Sequence, residues 1–376
     1  MAFPEQVTPN SPAAGCDAYW SQDCDGQNAA SAGPFRDPIS GVDFLICQDD
    51  TTLKMRAYQR VAGVWSEADA IHAPDSVDDS VAPTLQQFFG VEQDKTKRLL
   101  YVFRWDPVAF LVTCTLFNTA TASWGASFLS TLGYQFNENP GGNEIAGFGT
   151  KLRPDGICWV SWFNGVDLLG NGQVAGAKFN TTSLTWDGAV TFLGDTTLDL
   201  STNTVLGMAM DSASNIHLIC WKRPTDNSSK LYHQVIHADN SLSAIQVIAT
   251  TPVGSIRWEA CSYPTMSETD VLSFVAQLAT ISFNDGTPHV FRAQCPADAP
   301  VWEDTQPSDM LHTPVAIKSP VSFGGNNYVF YMKPNGANME CRYVSSAGIG
   351  QPWNASVLVG SQASGKLSRS CQVNLA

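Results

Sequence analysis

Short segments of this chain place aromatic rings beside carboxylates and amides. They are RWDPV with Trp105 and Asp106, FNGVD with Asn164 and Asp167, WKRPTDN with Trp221, Arg223 and Asp226, NDG with Asn284 and Asp285, and KPNGAN with Asn335, while Asp49 and Asp50 end another such run. A flat ring offers a surface for the C–H face of a sugar, and carboxylate and amide groups bond its hydroxyls, so the pattern points to glycan binding. Asp, Asn and Gly are also turn residues chosen for backbone reasons, and turn chemistry alone accounts for any single loop. A glycoside hydrolase needs two carboxyl groups ~5 to 9 Å apart, and the spacing brings no particular pair of aspartates to that distance, so no catalytic residue is assigned. His233 and His237 in HQVIH share a strand face but lie ~13 Å apart, too far for one metal ion. No nucleophile elbow, phosphate-cradling loop or zinc-type cysteine spacing occurs, so neither metal nor cofactor is expected.

The elements that carry these segments form a repeat. From residue 80 onward a four-strand pattern returns roughly every 50 to 60 residues: a first strand, a strongly apolar second strand, a third strand, and a fourth that often opens on tryptophan. The second strands are RLLYVFRW, GICWVSWF, NIHLICWK, DVLSFVAQ and NYVFYMKP, each rich in β-branched and aromatic residues and bounded by turn formers. Trp124, Trp186, Trp302 and Trp353 mark the fourth strands. The candidate ligand residues all fall at the hairpin between second and third strands.

The repeats divide into blade two at 80–130, blade three at 142–193, blade four at 201–250, blade five at 254–305 and blade six at 312–360. Residues 42–71 supply second, third and fourth strands of one more unit, and SRSCQVNLA at the C-terminus reads as its missing first strand, so blade one is expected to combine 42–71 with 366–376. The fold expected is all-β: a six-bladed β-propeller of four-stranded antiparallel blades, closed by the C-terminal strand joining the N-terminal blade, plus an extended N-terminal arm over residues 1–40. That pairing sets Cys371 opposite Cys47, where facing Cα atoms of a ladder lie ~4.5 to 5.5 Å apart, within disulfide range. A second bridge is expected between Cys16 and Cys24 in the turn-rich leader. Reduced, buried thiols are the alternative for both pairs.

The third-to-fourth turns NTATASW (118–124), NTTSLTW (180–186) and SSAGIGQPW (345–353) resemble degenerate Asp-box hairpins of sialidase-like propellers. That resemblance spans 40–376 as an architecture, and in that superfamily these turns lie away from the binding face. GPFRDPISG (33–41) is similar to the Phe-Arg-x-Pro of sialidases, whose arginine grips a substrate carboxylate, and to the Arg-Asp-Pro of invertase-like glycosidases. The resemblance implies Arg36, or Asp37, as a ligand contact. The further arginines, the Tyr–Glu pair and the catalytic Asp of sialidases are not recognisable on equivalent strands.

Composition limits the remaining classes. With 21 basic against 35 acidic residues the net charge is −14, which argues against a nucleic-acid partner. No apolar run approaches the ~18 residues of a membrane span, and MAFPEQVTPNSPAAG reads as no signal peptide. The expected function is a non-catalytic binding or structural propeller of a phage or virus particle, recognising glycans or a host receptor and contacting other subunits through residues 1–40. The alternatives are a free lectin, cytoplasmic or non-classically secreted, and a glycoside hydrolase.

Overall fold

The computed structural model describes residues 5–7, 16–20, 31–48, 55–69, 89–106, 111–130, 148–164, 173–192, 204–222, 230–251, 256–260, 262–280, 287–310, 316–317, 320–336, 338–363 and 371–375. They form six antiparallel four-stranded blades in a ring. Blade one is Ser31–Arg36, Asp43–Gln48, Met55–Val61 and Val64–Glu67; blade two is Phe89–Asp94, Leu99–Asp106, Leu111–Asn118 and Ser123–Leu129. Blade three is Phe148–Leu152, Ile157–Asn164, Gln173–Asn180 and Thr185–Phe192; blade four is Thr204–Met210, Ile216–Lys222, Lys230–Ile236 and Gln246–Thr250. In blades five and six the innermost strand comes in two pieces, Ile256–Ala260 with Thr265–Met266 and Ala316–Ile317 with Val321–Phe323. Their outer strands are Val271–Thr280, Thr287–Gln294 and Trp302–Thr305, then Asn326–Asn335, Asn338–Ser346 and Val357–Ala363.

The core lies between blades. A second strand has sheet neighbours on both sides and another blade on each face, so both sets of its alternating side chains are buried. In blade two, Leu100 and Val102 pack with Phe44, Ile46 and Ala57 of blade one, whereas Tyr101 and Phe103 pack with Cys158, Val160 and Phe179 of blade three. This explains why the second strands read as continuous apolar runs. Cys114, Cys158, Cys220, Cys295 and Cys341 are all buried, and burial pushes the Cys114 and Cys158 thiols well up.

Polar side chains stitch neighbouring blades at the turns. The Asn118 and Asn180 carboxamides accept from backbone N–H groups two and three residues on, and Ala122 and Leu184 adopt positive φ at matching positions. The next residue, Thr119 or Thr181, caps the first turn of its own blade by donating its backbone N–H to the carbonyl of Arg98 or Gly156. Each threonine also meets the preceding blade, Thr119 through Asp37 and Thr181 through Lys97. The fourth-strand tryptophans reach backwards as well. Trp186 Nε1 donates to Phe128 C=O at 2.9 Å, Trp302 Nε1 to Gln246 Oε1 at 3.0 Å and Trp353 Nε1 to Thr305 Oγ1 at 2.9 Å.

Ring closure differs from the sequence expectation. Blade one takes its first strand locally: Ser31–Arg36 pairs with Asp43–Gln48, which places Ser31, not Cys371, opposite Cys47. Residues 31–40 therefore belong to the ring rather than to an arm. The C-terminal strand Cys371–Leu375 pairs instead with Cys16–Trp20, with Cys371 opposite Trp20, and Glu5–Val7 completes a three-stranded sheet. This last strand runs beside the first strand of blade one and near blade six. The two chain ends thus do meet at the seam, in a sheet of their own. The register gives Cys47 and Cys371 different ladder partners, Ser31 and Trp20, so the two do not face each other in one ladder as expected; Cys24 lies outside the described residues.

Candidate functional site

The face of blade six that meets blade five changes character along its length. Register pairs Val329 with Val344, Tyr331 with Arg342 and Lys333 with Glu340, and because strand side chains alternate, all six lie on one face. At one end Val329, Tyr331 and Val344 pack with Val275 and Val290 of blade five around Met310. Met310 ends a 3-10 turn, Ser308–Met310, in the crossover between the blades. That turn buries Met310 and leaves Asp309 above it, where Tyr331 Oη donates to the Asp309 carbonyl at 3.1 Å. Toward the second-to-third hairpin the face becomes charged. There Ser308, Asp309, Lys333, Pro334, Asn335, Glu340, Arg342 and Ser356 line a cleft of about 460 Å³.

The cleft is organised as a chain of hydrogen bonds. Ser356 N–H donates to Asp309 Oδ2 at 2.5 Å, Arg342 Nε to Ser356 Oγ at 3.0 Å, Arg342 Nη1 to Glu340 Oε2 at 2.6 Å and Asn335 Nδ2 to Glu340 Oε1 at 2.5 Å. The Ser356 N–H holds the Asp309 carboxyl below its usual range, with Arg342 and Lys333 adding to the effect. Asn335, then Arg342, does the same for Glu340. Both groups are carboxylates at neutral pH, able to accept from hydroxyls. Neither is poised to hand a proton to a leaving group, which requires a raised pKa. Lys333 Nζ has no hydrogen bond or ion pair among the described residues and is left to donate.

Of the residues singled out from sequence, Asn335 enters this cleft. Trp105, Asp106, Asn164 and Trp221 stand at the hairpin ends of second strands, opposite Val112, Leu111, Gln173 and Leu231. Asp167, Arg223, Asp226, Asn284, Asp285, Asp49 and Asp50 lie outside the described residues. Arg36 sits at the other end of its blade, next to the first turn. Its Nε donates to Asp43 Oδ1 at 3.0 Å with the side chain 49% exposed, so the ring does not bring it to the hairpin end. Asp37 is buried under Arg98, Thr119 and Ser40. The residues that sequence reasoning missed are Ser308, Asp309, Lys333, Glu340, Arg342 and Ser356. Their signal was the switch from valine and tyrosine to charge at alternate positions of YVFYMK and MECRYV.

Among the described residues no cluster of histidines, cysteines or carboxylates with metal-binding geometry occurs. His233 stacks on His217 with ring centroids 5.1 Å apart, and His237 faces Asp298 at 3.5 Å.

No protein-family model matches the chain, and no curated protein does. Among solved structures it is similar to an ulvan lyase of a new polysaccharide lyase family, PL25, bound to GlcA(1-4)Rha3S. The identity is 7%, the match covers 96% of this chain and 88% of that one, and the TM-score is 0.59. It is also similar to a Penicillium chrysogenum α-L-arabinanase complexed with arabinobiose (10% identity, 79% and 97% covered, TM-score 0.47) and to a Hadza microbial sialidase (12%, 83% and 67%, 0.45). At such identities the likeness concerns the fold. The chain is a six-bladed β-propeller.

Proposed function

We propose that this propeller is a glycan-binding module that holds a hydroxyl-rich ligand in the cleft formed by blade six and the crossover from blade five, without cleaving it. One observation carries the reading: the cleft combines two ionised carboxylates, Asp309 and Glu340, with an unpaired Lys333 ammonium and an Arg342 side chain. Such a set supplies acceptors and donors for sugar hydroxyls but no protonated carboxyl for glycosidic cleavage. The ulvan lyase that shares the fold holds a saccharide, which makes sugars the first ligand class to try. A glycoside hydrolase is the second reading, and it needs a carboxyl pair elsewhere on the hairpin end. The virion setting rests on composition and on the leader. The leader supports it less than expected, because its described strands form one sheet with the chain's own C-terminal strand.

The test is a panel of neutral and acidic polysaccharides, scored for retardation of the protein in affinity electrophoresis and for newly released reducing ends. Retardation without release is expected. Release of reducing ends sinks the binding-only reading.

A further inference from the structure

Four side chains form an unbroken line at the seam of blades four and five. Asp211 Oδ2 lies 3.2 Å from His217 Nε2, His217 Nδ1 lies 2.9 Å from His233 Nε2, and His233 Nδ1 lies 3.2 Å from Gln246 Oε1. Asp211, His217 and His233 are all buried.

Both ends of the line are acceptors. Gln246 Oε1 already receives Trp302 Nε1–H at 3.0 Å, and Gln246 Nε2 donates to Pro300 C=O at 2.8 Å, so flipping the amide would spoil two bonds. At the other end Asp211 Oδ1 receives Asn215 N–H at 2.9 Å and Oδ2 receives Asn215 Nδ2 at 3.0 Å. The Asn215 amide is itself oriented by Ala238 N–H on its Oδ1 at 3.2 Å. Three contacts between fixed acceptors require three hydrogens. Two neutral imidazoles carry one N–H each, so the line is one hydrogen short.

We propose that Asp211, His217 and His233 are a one-proton binding site: at neutral pH the trio keeps an extra proton on His217, which donates to Asp211 and to His233, while His233 donates through Nδ1 to Gln246. With that proton the trio is uncharged. Without it the trio carries one negative charge, and one of the three contacts sets lone pair against lone pair. Burial disfavours whichever form carries net charge, here the deprotonated one. A second extra proton is kept out, since burial, reinforced by a charged His217, pushes His233 down to about 3. For His217 burial is the largest influence and holds the ring below its ordinary value, with Asp211, Asp270 and Asp298 pulling the other way; the hydrogen count of the line, which leaves the protonated trio uncharged, decides against that direction. Cys295 Sγ, 3.8 Å from His217 Nδ1, remains a neutral thiol because burial raises it to about 12.

The sign of the pH effect follows. A proton held by the folded chain above the ~6.5 of a free imidazole stabilises fully below that pH, and the contribution fades as pH rises through the folded value. Long-range 1H–15N correlation of the full chain with labelled histidine at pH 7 reads the site directly. The expected result is a His217 ring with both nitrogens protonated and a His233 ring protonated at Nδ1 only; two neutral imidazoles overturn the proposal. Asp211→Asn gives a second readout, because an amide hydrogen fills the line without an extra proton; the amide forfeits the Asn215 Nδ2 bond, a loss that does not vary with pH. Above pH ~7 the wild-type unfolding constant should rise relative to the variant by up to about tenfold per pH unit. A ratio that stays flat, or falls, contradicts the site.

Discussion

Arg98 donates Nε to Asp37 Oδ2 and Nη2 to Asp37 Oδ1, each at 2.8 Å, joining the first turn of blade two to the first turn of blade one. Thr119 adds its hydroxyl to Oδ2 at 2.6 Å, and Ser40 N–H meets Oδ1 at 2.8 Å. The aspartate in a stretch similar to a glycosidase motif thus serves as a clamp between blades. Burial pushes its carboxyl up, but Arg98, Thr119 and Ser40 outweigh burial and hold it well below the ordinary range. Stability from Asp37 is therefore present above pH ~3.9 and is lost as pH falls through the folded value. Acid unfolding of wild type and Asp37→Asn should show a gap at pH 5 that narrows below pH ~4; a constant gap would point to packing instead of charge.

Thr119→Val keeps the shape of that clamp and removes one hydrogen bond to a charged group. A loss of about 1.5 to 3 kcal/mol is expected in urea unfolding, with an unchanged m-value because the surface exposed on unfolding stays the same.

The tryptophan staples separate packing from hydrogen bonding. Trp186 packs against Phe103 and Phe179 at centroid distances of 5.8 and 5.2 Å while its N–H reaches Phe128 C=O. Trp186→Phe should cost about 1 kcal/mol through the lost bond, and Trp186→Ala about 3 to 5 kcal/mol through the cavity. Thermal or urea unfolding of the two variants checks the order.

Chain closure is tested by truncation. Removing residues 371–376 takes away the strand that pairs with Cys16–Trp20 and leaves the Ser31–Arg36 ladder of blade one in place. Hydrogen exchange should quicken across residues 16–20 and stay slow across 43–48. The reverse would restore the split-blade arrangement.

The propeller was legible because its second strands are apolar on both faces and its fourth strands open near tryptophan, and both signals survive in a single sequence. Closure was misread for a local reason. The true first strand of blade one, SAGPFR, has Gly33 and Pro34 at its centre, residues that usually break a strand. It is accommodated by a register shift between Ala32 and Phe35. Cys371 and Cys47 then seemed natural partners because each lies in an alternating run that lacked a neighbour. The cleft was hidden for a different reason: Lys333, Glu340 and Arg342 become one surface only when the register of two strands is known, and Asp309 arrives from a crossover with no strand periodicity.

The central claim is that this propeller binds saccharide in the cleft formed by blade six and the crossover from blade five. Its most direct measurement is isothermal titration of the saccharide retained best by the wild-type protein against Lys333→Ala and Asp309→Asn, with circular dichroism confirming that both variants fold. The expected result is at least about tenfold weaker binding in each variant, equivalent to ~1.4 kcal/mol, with the saccharide recovered intact. Unchanged affinity in both folded variants, or recovery of cleaved saccharide, would contradict the account.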